Sequence, residues 1–107
     1  MINEVRKRDG AIAPFDSSKI QHAIEKAMQA VDEKNEKAAE MLTKEIAKNL
    51  ELNISLFFNS IPTIEQIQNI VEDVLAKSKF KRTAKAYMLY RRARTNAREL
   101  KKFFGIK

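Results

Sequence analysis

Basic residues gather near the start of the chain at a spacing suited to holding an anion. Arg6, Lys7 and Arg8 are consecutive, and Lys19 follows in the first turn of a predicted helix. Cations beside a helix N-terminus combine positive charge with N–H donors, which is the chemistry that binds phosphate. Strand alternation predicts that Lys7 lies on the face opposite Arg6 and Arg8. The alternative is a solvated edge strand whose cations discourage edge-to-edge pairing.

A second group of cations lies on the last predicted helix. Arg91, Arg94, Arg98 and Lys101 share one helical face. This stripe could follow a nucleic-acid backbone, but cations near a helix C-terminus are also typical of a solvated surface. We favour the solvated surface for residues 94–102. Arg91 and Arg92 differ from the others, because they end a Tyr-x-x-Tyr-Arg segment and could reach a bound phosphate.

Two of the residue types that often carry out catalysis, cysteine and histidine, are absent or rare. Cysteine is absent and His22 is the sole histidine, so thiol chemistry and a Cys/His metal site are excluded. His22 is expected on a helix surface or in the core. The carboxylates Glu65, Glu72 and Asp73 show no pairing suited to acid–base catalysis and are expected on a helix surface.

Overall charge and hydropathy narrow the class of protein further. The net charge of +7 over 107 residues favours a phosphate-bearing or polyanionic partner. No apolar run approaches the length of a membrane span, and no signal-peptide pattern is present. We therefore expect a cytoplasmic protein with no membrane partner.

Hydrophobic periodicity divides the chain into a hairpin over residues 4–15 and four amphipathic helices. Asp9-Gly10 is predicted to form a two-residue hairpin turn. Ile61-Pro62 is expected to add a third short strand, because a lone hairpin is marginal in water. The predicted fold is a single α+β domain over 1–107, mostly helical, with a four-helix bundle capped by a small three-stranded β-sheet. The helices are predicted over residues 17–31, 36–53, 64–77 and 82–104.

Local signals define the ends of the helices. Asp16 or one of the two serines after it can cap the first helix. Thr63-x-x-Gln66 fits a capping box at the start of the third helix. The segment 52–58, which follows the second helix, could continue that helix or form a strand.

The fourth helix carries an apolar stripe that is predicted to be its buried face. Tyr87 and Tyr90 are expected in the core with their hydroxyls at its rim, rather than as platforms for a base. Gly105 is predicted to be the C-terminal cap of this helix. The apolar stripe consists of Ala86, Leu89, Tyr90, Ala93, Ala97, Leu100 and Phe104.

Three segments in this order form a longer pattern. They are Val5-Arg6-Lys7-Arg8-Asp9-Gly10 followed by Phe15-Asp16-x-x-Lys19-Ile20, then Pro62-Thr63-Ile64-Glu65-Gln66-Ile67, and finally Ala84-Lys85-Ala86-Tyr87-Met88-Leu89-Tyr90-Arg91. Together they resemble the ATP-cone domain, the nucleotide-sensing module at the N-terminus of many ribonucleotide reductases. The resemblance extends from about Val5 to Arg94.

The resemblance implies a site for ATP or dATP with Mg²⁺ between the hairpin and the helices. By this likeness, the hairpin surrounds the base and phosphates, and the lysine that begins the first helix reaches phosphate. The start of the third helix meets the adenosine, and an arginine of the fourth lies near the phosphates. In chain order, the matching residues are Val5, Lys7, Arg8, Asp16, Lys19, Thr63, Ile67, Gln68, and Arg91 or Arg92.

The resemblance also implies a function. It is that of a non-catalytic regulatory domain, in which ATP permits and dATP stops turnover of a reductase. The first ten residues and the segment 39–44 look most like anaerobic reductases. Implied partners are an adenine nucleotide, together with a second copy of the chain or a reductase catalytic domain. The domain could be a standalone protein or the N-terminal part of a reductase.

Three other functions are compatible with the residues. They are a nucleic-acid-binding helical module, a structural interaction domain, and a nucleotide-dependent transcriptional regulator. The ATP-cone domain also occurs in a bacterial transcriptional repressor of reductase genes, and that repressor carries a cysteine-rich zinc ribbon. The present chain contains no cysteine, which argues against the repressor itself.

Overall fold

The structure is a computed structural model that describes residues 2–104, except for the side chains at positions 100 and 102–104. Its described residues form two short strands and four α-helices. Within this range, no helix combines the length and the apolar character that a membrane crossing requires. The elements are β1 (Glu4–Arg6), β2 (Ile12–Pro14), α1 (Ser17–Ala30), α2 (Glu36–Leu52), α3 (Ile64–Lys77) and α4 (Lys81–Phe104).

The helix starts follow the predicted capping signals. Asp16 is the N-cap of α1, and its carboxylate accepts a hydrogen bond of 3.0 Å from the backbone N–H of Ser18. The capping box of α3 is confirmed. The Gln66 N–H donates to Thr63 Oγ1 at 3.1 Å, and the Thr63 N–H donates to Gln66 Oε1 at 2.9 Å. Together these bonds satisfy backbone donors that a helix N-terminus leaves without a partner.

The segment after α2 forms neither of the two structures expected for it. It folds into two short 3₁₀ turns, Ile54–Leu56 and Phe58–Ser60. Asn53 (φ −105°, ψ 13°) ends α2, and Phe57 (φ −98°, ψ 134°) separates the two turns, so neither a continuing helix nor a strand spans residues 53–58. The turns redirect the chain toward the start of α3.

The hairpin loop contains three residues, so the prediction of a two-residue turn is wrong. The Lys7 N–H donates to the Ala11 carbonyl at 2.8 Å, and the Gly10 N–H donates to the Lys7 carbonyl at 2.9 Å. Gly10 has φ of 89°, whereas Asp9 is not left-handed. A two-residue Asp-Gly turn requires positive φ at both positions, whereas a type I turn followed by a left-handed glycine makes a three-residue loop. Arg8 therefore belongs to the loop.

The expected third strand is reduced to a single parallel bridge between Arg6 and Thr63. The Arg6 N–H donates to the Pro62 carbonyl at 2.9 Å, but Pro62 has no N–H to extend the pairing. Since α3 begins at Ile64, the chain leaves the sheet at once. In the described residues the sheet therefore has two strands, and the bridge joins the hairpin to the start of α3.

The helices pack around a common apolar core. α1 contacts α2 and α4, and α3 contacts the same two helices. The apolar stripes predicted for α1, α2 and α3 lie in this core, where Ile24, Ile46 and Leu75 have 0% exposure. Complete burial of each such side chain contributes about 1.5–3 kcal/mol relative to leaving it in water.

The helix α4 buries a different face from the predicted one. Thr83 and Tyr87 point inward with exposures of 0% and 9%, whereas Leu89 and Tyr90 are 52% and 62% exposed. The burial of Tyr87 is as expected, but the apolar stripe and the core placement of Tyr90 are wrong. The predicted stripe members at 100 and 104, like the cap at Gly105, lie outside the described side chains or residues.

Carboxylates from other elements explain why a partly polar face of α4 lies inward. Glu33, in the connection between α1 and α2, accepts hydrogen bonds from the Thr83 N–H at 2.8 Å and from Thr83 Oγ1 at 2.7 Å. The Glu33 side chain thus satisfies a donor of the first turn of α4. These bonds, led by the one from the Thr83 hydroxyl, lower the pKa of Glu33. Arg91, one helical turn beyond Tyr87, is likewise paired with carboxylates of α3.

Candidate anion-binding cleft

A cleft of about 850 Å³ lies between α1 and α4 and reaches the hairpin loop and α3. We call it the basic cleft. Its apolar side chains are mostly alanines, which are too small to fill the space between the two helices. The lining residues are Arg8, Lys19, His22, Ala23, Lys26, Ala27, Ala30, Gln68, Ala86, Tyr87, Tyr90, Arg91, Arg94 and Arg98.

Among the residues that the structure describes, six cationic side chains and no carboxylate line the basic cleft. Lys19 and Lys26 come from α1, whereas Arg94 and Arg98 come from the facing side of α4. None of these four forms an ion pair with a carboxylate in the part of the chain that the structure describes. Charge of one sign held in a cleft focuses the electrostatic potential and attracts anions.

The other two cations, Arg8 and Arg91, are joined by Glu65. One carboxylate oxygen of Glu65 lies 2.8 Å from Arg8 Nη2, and the other lies 2.7 Å from Arg91 Nη2. Arg91 Nη1 also lies 3.1 Å from Glu72 Oε1. Glu65 and Glu72 are therefore more than the surface carboxylates that we expected, because they orient two of the guanidinium groups in the cleft wall.

Protonation in this network follows from its contacts. The hydrogen bond from Arg91, helped by the nearby charge of Arg8, holds the pKa of Glu65 below its ordinary value of 4.5. Burial alone would lower the pKa of Arg91, but its bonds to Glu65 and Glu72 outweigh burial and raise it. Burial raises the pKa of Tyr87 to about 12. At neutral pH the phenol therefore stays neutral beside a charged network.

An exposed aromatic ring lies at the edge of the cleft. The guanidinium of Arg94 is 5.8 Å from the centre of the Tyr90 ring, and Arg94 Nη1 donates to the Tyr90 hydroxyl at 3.1 Å. This arrangement holds a cation and a π-face together at the surface of α4.

The structure brings four of the ten expected site residues into the lining of the basic cleft. Three of them, Arg8, Gln68 and Arg91, are close together, and Arg8 Nη2 donates to Gln68 Oε1 at 3.5 Å. The fourth is Lys19.

The remaining expected site residues do not line this cleft. Two of them are helix caps, Asp16 for α1 and Thr63 for α3. Ile67 is in the core and Val5 packs against it. Lys7 closes the base of the hairpin loop, and Arg92 is exposed on α4.

Five charged or aromatic residues of the cleft were missed or given another role by the sequence reasoning. Lys19, His22 and Lys26 repeat on α1 at the i, i+3, i+7 spacing that Arg91, Arg94 and Arg98 show on α4. Two basic stripes of equal spacing were a usable signal for facing helices. The residues concerned are His22, Lys26, Tyr90, Arg94 and Arg98.

Comparisons with known proteins identify the family of the chain. The model of the ATP cone domain matches residues 3–96. The chain is 42% identical over its whole length to a vitamin B12-dependent ribonucleoside-diphosphate reductase of Thermoplasma acidophilum. It is 38% identical, over 89% of the chain, to an anaerobic ribonucleoside-triphosphate reductase of Haemophilus influenzae. A ribonucleoside-diphosphate reductase subunit alpha of Chlamydia pneumoniae is 38% identical over 86% of the chain.

The chain belongs to the ATP cone domain family, a family of regulatory modules of ribonucleotide reductases. It spans 14%, 13% and 9% of the length of these three relatives. The expected recognition is thus confirmed, and the relatives include the anaerobic kind of reductase that the opening residues resemble.

Proposed function

We propose that this domain binds ATP or dATP, with Mg²⁺, in the basic cleft and acts as an allosteric activity switch for ribonucleotide reduction. The observation that carries the proposal is the set of four cations, Lys19, Lys26, Arg94 and Arg98, on the facing sides of two helices, which form no ion pair with a carboxylate among the residues that the structure describes. A polyphosphate chain supplies several negative charges along a line, which suits such a double row.

The other parts of the cleft suit a nucleoside. The alanine-lined wall offers an apolar surface, and Gln68 offers an amide that can both donate to and accept from a base edge. Since the described part of the lining contains no carboxylate, Mg²⁺ would enter as a complex with the phosphates, whose oxygens it prefers as ligands.

A ligand held in this cleft could act as a switch because it contacts two helices at once. The phosphates would draw α1 and α4 together by neutralising their mutual repulsion. A nucleotide changes the state of an attached enzyme only if it prefers one arrangement over the other. We therefore propose that the partner is a reductase catalytic domain or a second copy of this domain, and that ATP and dATP favour different arrangements.

The geometry favours this function over nucleic-acid binding. Arg91, Arg94 and Arg98 line a cleft shared with α1, whereas contact with a duplex backbone needs cations on an outward ridge.

The relatives include vitamin B12-dependent and anaerobic reductases alike, and we propose an anaerobic reductase as the parent enzyme on the basis of the opening residues.

Calorimetric titration with ATP, dATP and GTP in the presence of Mg²⁺ tests the proposal. Lys26→Ala and Arg94→Ala should each weaken adenine-nucleotide binding by at least about tenfold, since each removes a charge-assisted contact to phosphate. Lys48→Ala on α2 is the matched control, because Lys48 is exposed and outside the cleft, and it should change Kd less than twofold. Equal binding of all three nucleotides, or equal loss in Lys26→Ala and Lys48→Ala, would contradict the proposal.

A further inference from the structure

Glu65 forms ion pairs with two arginines of the cleft wall, which come from different elements of the fold. Its carboxylate oxygens contact Arg8 of the hairpin loop at 2.8 Å and Arg91 of α4 at 2.7 Å. Both arginines line the basic cleft, whereas Glu65, in the first turn of α3, does not belong to the lining. An anionic group of the protein therefore holds the same donors that a bound phosphate would use.

The two ion pairs differ in how easily a ligand can exchange them. The Arg91 side chain is 16% exposed and has Glu72 as a second partner. Arg91 therefore keeps one ion pair if its pair with Glu65 breaks. The Arg8 and Glu65 side chains are 38% and 50% exposed, and exposed ion pairs are weak. Arg8 also lies in a hairpin loop, which can move with fewer lost contacts than a helix.

We propose that Glu65 is an internal competitor for ligand phosphate, which holds Arg8 in the ligand-free domain and must release it when a polyphosphate binds. This inference rests on the proposed function, since it assigns a residue that sets the affinity of the same cleft. Arg8 then exchanges one anion for another while Arg91 keeps its place. Phosphate binding thereby couples the cleft to the position of the hairpin loop.

The competition predicts that a change at Glu65 strengthens binding. Glu65→Gln removes the charge, keeps the length of the side chain and leaves Arg91 paired with Glu72. It releases Arg8 for the ligand and also removes an anion that repels phosphate. Because the exposed pair is weak, we expect phosphate binding to tighten by about two- to fivefold. A residue that merely positioned the arginines would give weaker binding when changed.

The experiment is a calorimetric titration of the full chain with sodium tripolyphosphate and, separately, with ATP and Mg²⁺. The matched control is Glu45→Gln, which makes the same change in net charge at an exposed position of α2 outside the cleft. Circular dichroism checks that each variant is folded. Tripolyphosphate has no base, so its binding reports on the cations alone.

A double-mutant cycle with Arg8→Ala tests whether Arg8 transmits the effect. If Glu65 competes for Arg8, Glu65→Gln should tighten tripolyphosphate binding in the wild-type chain and much less in the Arg8→Ala background. Equal tightening in both backgrounds would overturn the competition, because it would show repulsion through space alone.

The outcomes separate this inference from the proposed function. Tighter binding of tripolyphosphate by Glu65→Gln, with no change in Glu45→Gln, supports the inference even if ATP binds no better than GTP, a result that would defeat the proposed function. ATP binding without tightening in Glu65→Gln overturns the inference and leaves the proposed function intact. If no variant binds either anion, both are overturned.

Discussion

Replacement of Arg91 by methionine should destabilise the domain, because Glu72 loses the arginine with which it pairs and Glu65 keeps only Arg8. Arg91 is 16% exposed and lies within 2.7 Å of Glu65 and 3.1 Å of Glu72. Methionine retains the straight chain and the helix propensity of arginine, so the change tests the charge and its hydrogen bonds.

The size of the effect can be bounded from the exposures. A fully exposed ion pair contributes about 0–1 kcal/mol, whereas removal of one partner from a buried pair costs about 3–5 kcal/mol. Glu72 is 26% exposed and Glu65 is 50% exposed, so Arg91→Met falls between these limits. We expect a loss of about 1–3 kcal/mol in the free energy of unfolding, or at least about 4 °C in Tm.

Urea and thermal unfolding measure this loss, with Arg92→Met as the control. Arg92 is the next residue on α4 and is exposed, so its replacement should change stability by less than about 0.5 kcal/mol. Glu72→Gln should recover part of the loss when added to Arg91→Met, because it removes an unpaired charge. Equal stability of Arg91→Met and Arg92→Met, or no recovery by Glu72→Gln, would refute the reasoning.

Three further predictions concern stability. Leu75→Ala should cost about 2–5 kcal/mol in urea unfolding, because Leu75 has 0% exposure, whereas Leu56→Ala at 73% exposure should cost less than about 0.5 kcal/mol; similar costs would contradict the assignment of the core. Glu33→Ala should lower Tm at pH 7, because it removes the acceptor for both Thr83 donors, and an unchanged Tm would argue against that cap. The pKa of Glu33 is lowered from 4.5 in the folded state, so its stabilisation is present above that pH and is lost as the pH falls through the lower folded-state value. The Tm difference between wild type and Glu33→Ala should therefore shrink in acid, and a constant difference from pH 7 to pH 3 would be inconsistent with this linkage.

Elements whose signals are local were predictable from the sequence. The capping box at Thr63 and Gln66 and the apolar stripes of α1 to α3 depend on residues three and four apart, and the structure contains them. The hairpin was predictable except for its loop, because Asp-Gly suits a two-residue turn and the end of a three-residue loop equally well. The choice depends on the register that the rest of the strands adopt.

The face of α4 was not predictable from its own periodicity. An inward arginine is stable only if another element supplies an anion, and Glu65 and Glu72 come from α3. The same limit applies to the site. Arg94 and Arg98 were visible as a stripe, but whether that stripe faced solvent or the lysines of α1 depended on how the two helices pack.

The sequence by itself determined the family, the helices and the basic character of the domain, because these follow from residue types at short spacing. Only the tertiary structure decided which cations share a cleft, which of them are already paired, and that Glu65 lies between Arg8 and Arg91. Ion pairs between residues 57 and 26 positions apart in the chain leave no periodic trace in a single sequence, since their partners meet only when the helices have packed.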